Sequence, residues 1–125
     1  MSVRNTGAAI ADRAQRAASL LAMDPEAISE TGRHLRFVVV HLDSLLDDPT
    51  VSVEAFTTVL HMRDTVSAHI CAAEVLNNLG AVAGARRVLA EAAQVVLALC
   101  DAVARSRRGQ SESQRSRSVA RVACW

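Results

Sequence analysis

The side chains best suited to metal chemistry in this chain are four histidines and three cysteines, and their spacing keeps them apart. His34 and His41 are seven residues apart, which on a helix rising about 1.5 Å per residue separates them by about 10 Å. One zinc ion held at about 2 Å cannot be shared across that distance. His61 and Asp64, three residues apart, suit a surface pair as well as a ligand pair. We therefore expect no metal and no cofactor.

Nucleophilic catalysis also lacks a sequence signature. The chain contains no G-x-S-x-G elbow, no phosphate-binding P-loop and no G-x-G-x-x-G turn. Cys71 and Cys100 fall on or beside apolar stripes, where a buried thiol is usually inert. With Cys124 the cysteines are odd in number and widely spaced, which favours reduced thiols in the cytoplasm. We expect a protein that is not an enzyme.

The arginines carry the clearest chemical asymmetry. All 14 basic residues are arginine, and residues 105–125 hold six of them against one acid, Glu112. Residues 1–104 hold eight arginines against twelve acids, so an acidic body is joined to a basic segment. Guanidinium groups clamp phosphates well, so these side chains are candidate contacts for an anionic partner. The candidates are Arg105, Arg107, Arg108, Arg115, Arg117 and Arg121.

Apolar spacing predicts the elements that must position these groups. Ala and Leu dominate the apolar half of the chain, and apolar residues recur three and four apart, which indicates helices at about 6–23, 24–46, 51–79 and 82–108. Asp24 with Pro25 predicts the start of the second helix, and Gly80 the left-handed end of the third. A continuous bent helix across 77–84 is the alternative at that join.

The first helix carries a single apolar stripe of Ile10, Ala14, Ala17 and Leu21, whereas the next two carry more apolar residues than one stripe needs. In the second, Phe37 and Val40 widen the main stripe, which predicts contacts with neighbours on more than one side. In the third, we expect eight residues to face inward. They are Val53, Phe56, Val59, Leu60, Val66, Ile70, Ala73 and Leu76.

The fourth helix has the most regular pattern, which we call the α4 seam. Its residues alternate three and four apart over three heptads: Val82, Ala85, Leu89, Ala92, Val96, Leu99 and Val103. Such a seam is buried either inside one bundle, which is the commoner outcome, or against a helix of a partner. An outward-facing seam would make the chain a homodimer or a clamp for another protein.

The apolar pattern stops after Arg108. Residues 109–125 are mostly Ser, Gln and Arg, and ordering 17 residues at about 1–2 kcal/mol each exceeds what three apolar side chains return. We therefore predict a helical domain at 1–108 and a disordered Ser/Arg-rich tail at 109–125.

Together these features predict an all-α, up-and-down bundle of about four helices with a basic C-terminal tail. No stretch approaches the roughly 20 uncharged apolar residues of a membrane span. The expected function is a small, cytoplasmic, non-enzymatic interaction or regulatory protein with no membrane contact. It would bind a protein partner or a second copy by helix packing and through its basic tail. The alternative is a nucleic-acid-associated protein whose tail arginines contact phosphates.

Overall fold

The chain folds into four helices joined by short connections. The structure, a computed structural model, describes residues 3–24 and 26–117, with side-chain positions for residues 6–24 and 26–105. The helices are α1 (Val3–Met23), α2 (Ile28–Leu46), α3 (Val53–Asn78) and α4 (Val82–Arg117). Consecutive helices pack side by side, and α4 also packs on α1, which closes an up-and-down bundle. The predicted fold class is confirmed.

Alanine makes up much of the core. The buried alanines are Ala14, Ala17, Ala55, Ala73, Ala85, Ala92 and Ala93. Larger aliphatic side chains such as Leu35, Leu42 and Met62 fill the space between them. Among the residues with described side chains, Phe37 and Phe56 are the aromatic residues other than histidine, and both remain partly exposed. Helices that pack at alanine residues can approach each other closely. In this bundle α2 and α4 also contact each other across the centre.

The predicted stripe of α1 is confirmed, and that of α2 requires a correction. Ile10, Ala14, Ala17 and Leu21 are all buried, as the spacing predicts for α1. The main stripe of α2 is likewise buried or packed against the core. Phe37 and Val40, however, do not bury against a further neighbour: they are 38% and 63% exposed. In a bundle of four, α2 has no helix on its outer side to cover them.

The third helix differs more from its prediction. Val53, Phe56 and Leu60 point outward rather than inward, and the buried face instead includes Ala55 and Met62. The remaining predicted residues, Val59, Val66, Ile70, Ala73 and Leu76, are buried or packed against the core. Because α3 has apolar residues on two sides, periodicity did not determine which side the other helices would cover.

Helices α2 and α3 start later than predicted, whereas α1 starts earlier, at Val3 rather than at about Thr6. The Asp24 side chain accepts a hydrogen bond from the Glu26 amide at 3.1 Å, so it closes a local turn and α2 begins at Ile28. Asp48 acts similarly on Thr50, through the amide at 2.9 Å and the hydroxyl at 2.7 Å. Ser52 then caps α3, because its Oγ accepts from the Ala55 amide at 3.1 Å.

The join between α3 and α4 is a true break. Gly80 has φ +82°, its amide donates to Asn77 O, and the Ala81 amide donates to Leu76 O. This pair of bonds is the Schellman arrangement that ends a helix at a left-handed residue. The prediction for Gly80 is confirmed, and the continuous bent helix is not formed.

Helix α4 extends beyond the end of its apolar pattern, and the division into a domain at 1–108 and a tail at 109–125 stays a prediction. Helix α4 continues to Arg117, nine residues beyond the predicted end at Arg108. Ser, Gln, Glu and Arg are tolerated in an exposed helix, and Gly109 costs only about 1 kcal/mol against alanine, so loss of apolar pattern does not by itself end the helix. The predicted disorder of residues 118–125 lies outside the described residues.

Candidate interaction surfaces

The α4 seam lies mainly in the chain's own core. Ala85, Leu89, Ala92 and Val96 are at most 1% exposed, because α4 packs against α1 and α3 along this side. Leu99 and Val103 are partly buried against the same core. Only Val82, at 42% exposure, remains substantially open. The outward-facing alternative for this seam is therefore corrected: a surface for another chain must be built from other residues.

The candidate arginine contacts lie at and beyond the end of the described side chains. Arg105 is exposed and forms an ion pair with Asp101, one turn earlier on α4. Positions 107, 108, 115 and 117 belong to the helical part of α4, and their side chains lie outside the described residues. Arg121 lies outside the described residues altogether. The structure thus places Arg105, Arg107, Arg108, Arg115 and Arg117 along one helix.

The histidines are drawn into separate local contacts. His34 Nδ1 lies 3.2 Å from Arg13 Nη1, His69 Nδ1 lies 2.8 Å from Thr65 O, and His69 Nε2 lies 3.8 Å from Glu91. Within residues 6–24 and 26–105, no three His, Cys, Asp or Glu side chains are grouped as a metal site would require. The described histidines therefore offer no candidate metal centre.

The thiol of Cys100 is not activated. Burial raises the pKa of Cys100 to about 11, which keeps it protonated and unreactive near neutral pH. Cys71 is exposed, and both are free thiols. Cys124 lies outside the described residues.

A small aromatic cluster lies on the outside of the α1–α2 contact. The Arg13 guanidinium sits 3.9 Å above the centre of the Phe37 ring, a cation–π arrangement. The Phe37 and His41 rings meet edge-on with centres 4.4 Å apart. His41 Nε2 is buried without a hydrogen-bond partner among the described atoms. The cluster ties α1 to α2 and partly covers Phe37.

One exposed apolar surface consists of residues that the sequence pattern placed in the core. Val53, Phe56 and Leu60 are 79%, 42% and 38% exposed, and their spacing of three and four puts them on one side of α3. We call these three residues the α3 outer stripe. The signal was present in the sequence as surplus apolar residues in this helix.

Arg63, at the flank of the stripe, forms ion pairs with Asp43 on α2 and with its neighbour Asp64 on α3. Arg63 donates from Nε to Asp43 at 3.0 Å and from Nη1 to Asp64 at 3.0 Å. Farther along, Arg36 on α2 pairs with Glu74 on α3. In water such pairs add little stability, but they leave Arg63 with its charge compensated.

Among the helices of the described chain, none combines the length and apolar content needed to cross a bilayer. No family model matches the chain, and no significant match was found among curated proteins or solved structures.

Proposed function

We propose that this chain is a small, non-enzymatic, cytoplasmic interaction module that binds a protein through the α3 outer stripe, with a second copy of itself as the partner. The supporting observation is the exposure of Val53, Phe56 and Leu60 along one side of a helix whose other side already serves the core. Single exposed apolar residues are ordinary, but three at helix-packing spacing form a surface.

The stripe is not needed to hold the bundle together. Helix α3 has a complete second set of buried residues for that purpose: Ala55, Val59, Met62, Val66, Ile70 and Ala73. The monomer therefore does not gain the free energy that burying the stripe would release. At about 25 cal/mol per Å² of apolar surface, covering a Phe and two aliphatic residues contributes a few kcal/mol to association.

A second copy suits this surface because the stripe can pair with itself. Around a two-fold axis near Phe56, two antiparallel α3 helices would bring Val53 of each chain opposite Leu60 of the other. Arg63, at the edge of the stripe, is already paired with Asp43 and Asp64, so the contact would not bury an uncompensated arginine. The arginine-rich part of α4 would remain available for an acidic or phosphorylated partner.

Light scattering coupled to size exclusion tests the proposal. We expect a concentration-dependent dimer for the natural chain and a monomer for Leu60→Asp. Ala72→Asp is the matched control, because it adds the same charge to an exposed site on another side of α3 and should leave dimerisation unchanged. A natural chain that stays monomeric over a wide concentration range would exclude the second copy as partner.

The second candidate function is nucleic-acid binding through α4. It is favoured by the continuation of α4 to Arg117, which carries five of the six candidate arginines on one helix. With all six engaged on duplex DNA, the logarithm of the binding constant should fall with the logarithm of salt at a slope as steep as about −5. A chain ending at Ala104 should lose this binding yet keep any α3-mediated dimer. Equal retention of both chains on a polyanion resin would reject it.

A further inference from the structure

A groove opens between α2, α3 and the start of α4, at the end of the bundle where α3 terminates. Its volume is about 180 Å³. Its apolar lining comes from Ile28, Ile70, Ala73 and Leu89, all of which are buried residues of the core. An apolar cavity of about 150 Å³ can hold a benzene ring, so this groove has room for one ring-sized body.

Gly32 keeps the groove open. This glycine lies in the body of α2, is buried, and lines the groove. A Cβ placed on it would meet no atom within 4 Å, so close packing does not demand glycine here. Any larger residue would project into the empty space, and glycine is a poor helix former. The residue that weakens the helix is therefore also the residue that leaves room for an occupant.

The rim of the groove supplies a positive charge. Arg33 and Arg36 line one side, and Glu74 and Asn77 the other. Arg36 is paired with Glu74 across the rim. Arg33 is exposed and has no hydrogen bond or ion pair with the residues whose side chains are described. One guanidinium thus remains free to meet an anion beside an apolar floor.

The start of α2 adds a second attraction for an anion. Ile28 and Ser29, in the first turn of α2, line the same groove. The capping position is Ala27, which has no side-chain acceptor for the first amides of the helix. Helix N-termini favour negative charge, so a ligand oxygen near Ser29 would occupy the place of the missing cap.

We propose that this groove binds a small organic carboxylate, with an apolar body of about one ring over Gly32 and its carboxylate at Arg33 and the first turn of α2. The apolar floor of the groove would bind the apolar part of the ligand, and the free guanidinium of Arg33 would bind its carboxylate. The site is independent of the α3 outer stripe, which lies toward the other end of α3.

Amide NMR titration with benzoate tests the site, because Gly32 is a reporter inside the groove and Gly7 is a distant one. We expect saturable shifts at Gly32 but not at Gly7, with a dissociation constant on the order of 1 mM for so small a ligand. Benzamide, which has the ring without the charge, should bind about tenfold more weakly. Acetate, which has the charge without the ring, should give no saturable shift.

Three variants separate the two parts of the proposal. Arg33→Gln should weaken benzoate about tenfold and leave benzamide unchanged, while Arg87→Gln, which removes an exposed arginine elsewhere, should alter neither. Gly32→Leu should abolish both while keeping or raising the melting temperature, because it fills the groove and favours the helix. A melting curve verifies that this variant is folded.

Three results would contradict the proposed binding site. Benzoate shifts that persist in Gly32→Leu would overturn the groove as the site. Benzamide binding as tightly as benzoate would overturn the role of Arg33. Stronger binding by an acetylated peptide ending in phenylalanine than by benzoate would assign the groove to a protein terminus and overturn the small-molecule proposal.

Discussion

The surroundings of His34 lower its pKa and so favour its neutral form. Partial burial is the main cause of its lowered pKa, and the nearby positive charges of Arg13 and Arg16 add to it, against a smaller opposing effect of Glu30. Arginine can only donate hydrogen bonds, so the contact with Arg13 makes His34 Nδ1 the acceptor and places the ring proton on Nε2. Protonation of His34 would break this contact.

This arrangement makes stability depend on pH in a known direction. Because the pKa of His34 is lower in the folded chain than its ordinary 6.5, the unfolded chain binds more protons just below that pH. We expect the free energy of unfolding contributed by this group to be constant above about pH 6.5 and to fall as pH drops through the folded pKa.

Urea denaturation of the natural chain and of His34→Gln, at pH 7.5 and at pH 5.5, isolates this effect. The loss of stability on acidification should be smaller in the variant, since the other titrating groups are common to both chains. An identical loss in the two chains would contradict the assignment to His34.

At the scale of elements, α3 shows what spacing could and could not predict. Spacing identified a helix there and placed most of its buried residues, but it assigned Val53, Phe56 and Leu60 to the core instead of Ala55 and Met62. Both sides of α3 satisfy an apolar repeat, and only packing by α2 and α4 decides between them. The groove at Gly32 was also invisible to sequence reasoning, because it arises where three helices meet.

The sequence also predicted some helix ends correctly and others wrongly. Gly80 was predicted correctly, since a left-handed cap requires a specific residue type. The starts of α2 and α3 were not, because Asp24 and Asp48 have side chains that serve local turns as readily as caps. The end of α4 was missed because an exposed helix needs no apolar pattern to continue.

The two glycines around the α3–α4 join should respond oppositely to alanine. Gly80→Ala forces a Cβ into a left-handed backbone, so we expect a loss of about 1–2 kcal/mol in the free energy of unfolding. Gly84→Ala is the matched control. Its Cβ would lie 3.5 Å from Leu76 Cδ1, an ordinary contact, so the gain in helix propensity should stabilise the chain by about 0.5–1 kcal/mol.

Chemical denaturation of the two variants measures the change in the free energy of unfolding and its sign for each. Equal effects in the two variants would mean that the left-handed backbone of Gly80 is not what the join requires.

For the whole molecule, the core ends well before the basic part of α4. The last fully buried residue described is Val96, and Leu99 and Val103 complete the packing at the edge of the core. A chain ending at Arg105 should therefore keep its thermal midpoint within a few degrees, because surface changes usually alter stability by less than about 0.5 kcal/mol.

Circular dichroism melting tests this separation of core from basic segment. Leu42→Ala provides the contrast: Leu42 is fully buried, and its truncation should cost about 2–5 kcal/mol. A large loss of stability in the shortened chain would show that residues beyond Arg105 contribute to packing.

The alanine-rich interior has a practical consequence for spectroscopy. With Phe37 and Phe56 both partly exposed, few core methyl groups lie beneath a Phe ring in the part of the chain whose side chains are described. Their proton resonances should crowd together, because ring currents are what normally spread them. A crowded methyl region would resemble the spectrum of a loosely packed globule even in a chain with a fixed native core. Amide protection against exchange would be the better criterion of native order for this protein.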